Sequence, residues 1–250
     1  MAELSDTDRQ MLLEAVDHYQ AGRLADAERL LRRVLSVAPE DFDTVHLLGL
    51  VRHGQGDDRQ AIEILSRAAE LLPDNADVWV NLAEAHRAAG EIAEAEPLLR
   101  RGLALDPAHL MGHNNLSVVL HKLGRNDEAS AQVQWTLRRA PNFDQAWNNL
   151  GMIRLALGDP DAAVEAFRRA CELAPESIYL PGGVLFTMLT HPAVELEEIA
   201  EAHRQWGLRM MQDLPAPAPH TNDRDPDRRL RIGYVSPDFR THVVPATFCP

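Results

Sequence analysis

Five glycines, Gly22, Gly56, Gly90, Gly124 and Gly158, stand 34 residues apart, and no other feature of this sequence restricts the fold as much. Ala27, Ala61, Ala95, Ala129 and Ala163 keep the same interval, as do Pro39, Pro73, Pro107, Pro141 and Pro175. Three residue types held in register over five periods describe one supersecondary unit used repeatedly, with each copy packing mainly on its neighbours.

Each residue type has a physical task within the unit. The glycines follow a first helix, where a left-handed residue ends the helix without a steric penalty. The prolines follow a second helix and prevent its continuation. The alanines fall early in the second helix, where a small side chain lets two backbones approach. A second small column, Ala15, Gly49, Ala83, Ser117 and Gly151, lies in the first helices and is expected to meet the alanine column. Glycine inside a helix costs about 1 kcal/mol relative to alanine, so Gly49 and Gly151 imply tight packing. Trp79, Leu82, Ala83 and His86 form an i, i+3, i+4, i+7 stripe, and Trp147, Leu150 and Gly151 repeat its start. Trp79 and Trp147 are therefore read as core. Asp159 followed by Pro160 reads as an N-cap with proline in the first turn.

These residues and spacings resemble the tetratricopeptide repeat family, with five repeats at about 8–41, 42–75, 76–109, 110–143 and 144–177. The resemblance implies an all-α fold, a right-handed α-solenoid of helix pairs. Trp79 and Trp147 fit the family's aromatic position, while Met11, Val45 and His113 replace it.

Composition narrows the partners. The formal net charge of −13 argues against nucleic acid, which needs a basic footprint. No apolar run approaches the roughly 18 residues of a membrane span, and the acidic amino terminus is not a secretory signal. A cytoplasmic location and no membrane partner are the expectation. Cys171 and Cys249 are too few for a disulfide framework or a zinc site and read as free thiols. His86, His113 and His121 lack metal-ligand spacing on one helix face and read as surface or partly buried side chains. Neither a metal nor a cofactor is expected.

Asn81, Asn115 and Asn149 also recur at the 34-residue interval, two positions after the tryptophan position. Asparagine is a poor helix former, so a column of three calls for a reason. The family resemblance puts this column on the concave face. An amide offers donors and an acceptor and can pair with a peptide main chain of any sequence. Helices packed about 8–10 Å apart against an extended chain rising about 3.3 Å per residue give one amide per three peptide residues. Asn114 and Asn148 are expected to widen the contact. The ladder stops at Leu47 in the second repeat. The expected partners are extended peptide segments; the sequence does not state an oligomeric state.

After residue 177 the repeat fades. Residues 178–214 read as a helical cap, with Leu196, Ile199, Ala200 and His203 as its stripe and Gly182–Gly183 as a break between helices. Residues 215–229, rich in proline and charge, read as a linker. In 230–250 a short run, Ile232, Tyr234 and Val235 before Ser236-Pro237-Asp238, reads as the first strand of an α/β sheet.

The order of solenoid, cap, linker and then GYVSPDFRTH resembles the SPINDLY and O-linked N-acetylglucosamine transferase family, in which a repeat solenoid feeds a two-lobed glycosyltransferase. The resemblance implies transfer of a sugar, usually N-acetylglucosamine from UDP-GlcNAc, to Ser/Thr of proteins; related members transfer fucose. His242 matches the family's active-site histidine and is a candidate general base, in an intact enzyme only, with a side chain suited to proton transfer near neutrality. The donor lobe has no counterpart within residues 1–250, so UDP-GlcNAc belongs only to a complete enzyme and this chain alone is expected to be inactive. The alternatives are a stand-alone repeat adaptor, or a fragment that binds the family's substrates without modifying them.

Overall fold

The computed structural model describes residues 4–177, 180–191 and 193–211. Ten helices pair in chain order: α1 (Asp6–Gln20) with α2 (Leu24–Val37), α3 (Phe42–Gly54) with α4 (Asp58–Leu71), α5 (Ala76–Ala88) with α6 (Ile92–Leu105), α7 (Leu110–Lys122) with α8 (Asn126–Arg139), and α9 (Asp144–Ala156) with α10 (Pro160–Leu173). Two further helices follow, α11 (Pro181–Thr190) and α12 (Leu196–Met211). The described residues contain no strand. The expected linker at 215–229 and strand in 230–250 lie outside them.

Helix ends are set where the repeat places its punctuation. The five glycines after the first helices have φ between 71° and 84°. The residue after each glycine donates its N–H back over the turn, as Asp57 does to the Arg52 carbonyl and Asp159 to that of Arg154, each at 3.0 Å. These bonds close the helix ends. Starts are capped by side chains: Asp41, Asn75 and His109 accept from the N–H groups of Thr44, Val78 and Gly112. Asp159 accepts from Ala162 at 3.1 Å, with Pro160 opening α10.

The packing differs from the sequence expectation in which partner meets which. All five alanines of the second helices are fully buried, but they are not the nearest neighbours of Gly49 and Gly151. A Cβ on Gly49 would stand 2.6 Å from Leu65, and one on Gly151 would stand 2.7 Å from Phe167. At these two positions the small residue of the first helix receives a large side chain one turn further along the second helix. Leu31, Leu65, Leu99, Val133 and Phe167 occupy that register and are all buried. Small against large fills the space between backbones, which small against small would leave void.

Gly182 and Gly183 do not break a helix. They lie in the first turn of α11 behind Pro181, and a Cβ on Gly183 would stand 2.6 Å from Phe167, so this ring meets a glycine of α11 as well as one of α9. In α12 the stripe is also rotated from the expected one. Ile199 is buried and Ala202, His203 and Trp206 half-buried, whereas Leu196 is 81% exposed and Ala200 exposed. The backbone of α12 approaches α11, and a narrow i, i+3, i+4, i+7 stripe is covered.

In the third, fourth and fifth repeats the tryptophan position is tied to the proline that closes the preceding repeat. The indole N–H groups of Trp79 and Trp147 donate to the Pro73 and Pro141 carbonyls, each at 2.8 Å. His113 takes the same place, its Nε2 3.1 Å from the Pro107 carbonyl. The substitution is compensated on the second helix. The Arg101 guanidinium covers the Trp79 ring at 3.7 Å, and one repeat later Trp135 stands in the arginine register and stacks on His113 at 3.6 Å. The large aromatic has moved from the first helix to the second, and a stacked pair is kept.

Ion pairs join neighbouring repeats at two of the interfaces. Arg52 donates to Glu28 at 2.8 Å and Arg125 to Glu96 at 2.7 Å. Burial pushes the Glu96 carboxyl upward, but hydrogen bonds from Arg100 and Arg125 outweigh it and hold the group below the usual carboxylate range. Such partly exposed pairs contribute about 0–1 kcal/mol each, so apolar packing dominates.

Consecutive first helices (α1 to α3, α3 to α5, α5 to α7 and α7 to α9) approach one another directly, while consecutive second helices do not. The stack of described helices therefore curves with its first helices on the inside. The Gly151–Phe167 contact gives a test: Gly151→Ala should lower stability by about 1–3 kcal/mol in urea unfolding, through overpacking. Gly182→Ala, where an added Cβ meets nothing within 4 Å, should leave the midpoint unchanged or raised.

Candidate peptide-binding groove

Residues spaced i, i+3, i+4 and i+7 share one face of a helix. On α5 that face carries Asp77, Val80, Asn81 and Glu84, and the 34-residue register repeats it on α7 and α9. The aligned faces line a groove of about 450 Å³ that contains Asn81, Asn114, Asn115, Asn148 and Asn149. All five asparagines singled out in the sequence are thus brought to one surface by α5, α7 and α9.

They are not equivalent. Asn81, Asn115, Asn148 and Asn149 are half-buried, but Asn114 is only 3% exposed. Instead of extending the groove outward, Asn114 forms part of its floor, and its Oδ1 accepts a hydrogen bond from Asn149 Nδ2 at 2.9 Å. Asn81 Nδ2 stands 2.9 Å from Nε2 of His46 on α3. An amide N–H can only donate, so His46 Nε2 must be unprotonated. Burial holds the His46 pKa below the ordinary histidine value, against the opposing pull of Asp77 and Asp43.

The groove also contains residues that the sequence pattern alone did not single out. His109 caps α7 through Nδ1 and pairs through Nε2 with Asp77 at 2.9 Å, linking the start of α7 to α5. Glu84 accepts from Arg87 Nε at 2.8 Å, an i, i+3 pair legible in the sequence. Met111 and Met152 are 43% and 45% exposed on the same faces, as apolar surface beside the amides. His46 and Asp77 had a usable signal, since both stand in register with groove residues of later repeats.

The remaining sequence expectations lie elsewhere. His86 pairs with Glu91 and His121 with Asn126, each at 2.7 Å. Cys171 is free, and burial raises its thiol pKa, which disfavours the reactive thiolate. No described helix is long and apolar enough to cross a membrane. The candidate catalytic residue His242, and Cys249, lie outside the described residues.

The chain belongs to the tetratricopeptide repeat family, whose models match residues 12–75 and 114–178, with a second model for the same repeat matching 52–114. Among curated proteins it is 48% identical over 48 residues to SPINDLY of Petunia hybrida, described as a probable UDP-N-acetylglucosamine–peptide N-acetylglucosaminyltransferase. That stretch is 19% of this chain and 5% of the Petunia protein. SPINDLY of Oryza sativa subsp. japonica is 32% identical over 81 residues, 32% of this chain and 9% of that protein.

Solved structures share the solenoid fold. A chain of the APC/C hetero-tetramer Cut9–Hcn1 aligns with a TM-score of 0.74 at 19% identity, over 83% of this chain and 41% of that one. A thermophilic tetratricopeptide protein of Thermus thermophilus aligns at 0.63 and 22% identity, over 73% and 99%. YrrB, described as a tetratricopeptide protein with an unusual peptide-binding site, aligns at 0.53 and 18%, over 68% and 88%.

His46 makes the fold sensitive to acid. Its folded-state pKa is depressed, so its contribution is complete above the unfolded value of about 6.5 and is lost as pH falls through the folded value. Below about pH 6.5 the unfolded chain binds the proton more readily than the folded one. The melting temperature should therefore fall more steeply between pH 7.5 and 5 in the wild type than in His46→Gln. Parallel curves by circular dichroism would remove His46 from the acid response.

Proposed function

We propose that this chain holds an extended peptide along α5, α7 and α9, and that the peptide's main chain is bound by the amides of Asn81, Asn115 and Asn149. Asn148 borders the same path, and Asn114 acts from beneath it. The observation that carries the reading is the common register of three amides, one per repeat, along a groove on the inner side of the stack. Helix spacing of about 8–10 Å suits an extended chain rising about 3.3 Å per residue. The unusual peptide-binding site described for YrrB is consistent with such use of the fold.

The SPINDLY similarity supports a more specific role: the groove is the substrate-recognition arm of a protein O-glycosyltransferase that uses UDP-GlcNAc. The helices after the fifth repeat, the segment 215–229 and the GYVSPDFRTH motif then lead into the catalytic part, with His242 as the candidate base. This role implies Ser/Thr-rich segments of proteins as ligands.

Binding of a 12-residue Ser/Thr-rich peptide, blocked at both ends and followed by calorimetry, tests the groove. A hydrogen bond contributes about 0.5–1.5 kcal/mol net. The combined change Asn81→Ala, Asn115→Ala and Asn149→Ala should therefore weaken affinity at least about 10-fold, with helicity unchanged. Equal affinity in the variant would refute the ladder. Transfer of labelled N-acetylglucosamine by a chain extended along its reading frame past Pro250, and not by residues 1–250, would support the enzyme role. Peptide binding without transfer by either form would favour a repeat adaptor.

A further inference from the structure

We infer that the ladder amides are oriented from the preceding repeat: the residue one position before the ladder in one first helix positions the ladder asparagine of the next. His46 on α3 holds Asn81 on α5, and Asn114 on α7 holds Asn149 on α9. The geometry stands by itself, whereas its consequence for ligand binding rests on the peptide-groove reading above.

Two hydrogen bonds carry the inference, and they have the same construction. Asn81 to His46 and Asn149 to Asn114 each span 35 residues, one repeat plus one position, and each measures 2.9 Å from Nδ2 to the acceptor. His46, Val80, Asn114 and Asn148 form one column in the 34-residue register, directly before the ladder column. The interface between them is the supporting case. There Val80 stands before Asn115, and an aliphatic side chain has no acceptor to offer. Asn81 and Asn149 are thus held at one N–H, while Asn115 has no partner from the preceding repeat's column.

A held amide is a different ligand-binding group from a free one. With one N–H committed, Asn81 and Asn149 each present one remaining N–H and a carbonyl oxygen to the groove. That donor–acceptor edge matches the edge of a peptide unit, and its orientation is set before the peptide arrives. Less conformational freedom is lost on binding at these two positions, so they carry more of the affinity than Asn115, which adapts to the ligand.

The pairing at His46 is also reversible in sense. A protonated imidazole donates from Nε2, and Asn81 would have to turn its Oδ1 toward it, leaving only N–H donors for the peptide. The charged groups that act on His46 are Asp43 on its own helix and Asp77 on α5, and both favour the proton. Burial opposes them, and neutral His46 is the form that accepts from Asn81. Acid therefore changes the chemistry of one end of the groove without touching the Asn114–Asn149 end.

Side-chain amide resonances in ¹⁵N-labelled protein test this without any ligand. The Asn81 pair should shift with the titration of the His46 ring, and the Asn115 pair should not. In Asn114→Leu the Asn149 pair should move toward the values of a free amide, and in Asn114→Asp, which keeps an acceptor oxygen, it should stay displaced. An Asn81 signal that ignores the His46 titration, or an Asn149 signal unchanged by Asn114→Leu, overturns the inference. With the blocked Ser/Thr-rich peptide, Asn114→Leu and Asn149→Ala should each weaken binding about 3- to 10-fold. Their combination should be no weaker than the worse single variant, the mark of two residues acting as one. Additive losses would contradict coupling. Failure of the whole ladder to affect peptide affinity would count against the groove reading, while the amide signals would still decide whether the orientation exists.

Discussion

The rest of the structure depends on how closely the two helices of a pair approach, which a small residue on the first helix and a large one on the second set where Gly49 meets Leu65 and Gly151 meets Phe167. At Gly49 and Gly151 the approach is close enough that a single added carbon would overlap Leu65 or Phe167. Interiors packed to crystal-like density do not absorb such changes freely. Where it occurs, at the second and fifth repeats, this contact fixes how closely the two helices of the pair approach, and the helix-ending glycines set the turn between them. Phe167 takes the contact further, because Gly183 also packs against its ring and so ties α11 to the fifth repeat.

The inner surface follows from that stacking. First helices of successive repeats lie side by side, so residues 34 apart become neighbours in a column, and a repeated residue becomes a repeated functional group. The asparagine ladder is one such column, and the column before it supplies acceptors to two of its members. The sequence of each repeat has drifted, but drift is tolerated where a partner changes with it. The exchange of Trp79 and Arg101 for His113 and Trp135 keeps both the stack and the bond to the preceding proline's carbonyl.

Periodicity made the repeat unit, the helix ends and the tryptophan column legible from the sequence, because each rests on a local rule that recurs five times. Three features were not legible for a shared reason: they depend on which residue faces which across helices. The small column was expected to meet the alanines, and at Gly49 and Gly151 it meets large residues one turn along. Gly182–Gly183 looked like a break because two glycines weaken a helix locally, yet Phe167 makes the close approach useful. In α12 an apolar stripe through Leu196 and Ala200 was as acceptable to the sequence as the one through Ile199, Ala202 and Trp206, and contact with α11 decided. At the groove, the register identified the asparagines but not the roles of Asn114 and His46, which depend on an inter-repeat distance.

The central claim is that a peptide lies along the inner face with its main chain on the ladder amides. A crystal structure of this chain with the blocked Ser/Thr-rich peptide tests it most directly. The account predicts an extended peptide across α5, α7 and α9, with its N–H and C=O groups about 2.7–3.2 Å from the amides of Asn81, Asn115 and Asn149. A peptide bound on the outer face of the second helices, or one in the groove that contacts the ladder only through its side chains, would contradict it.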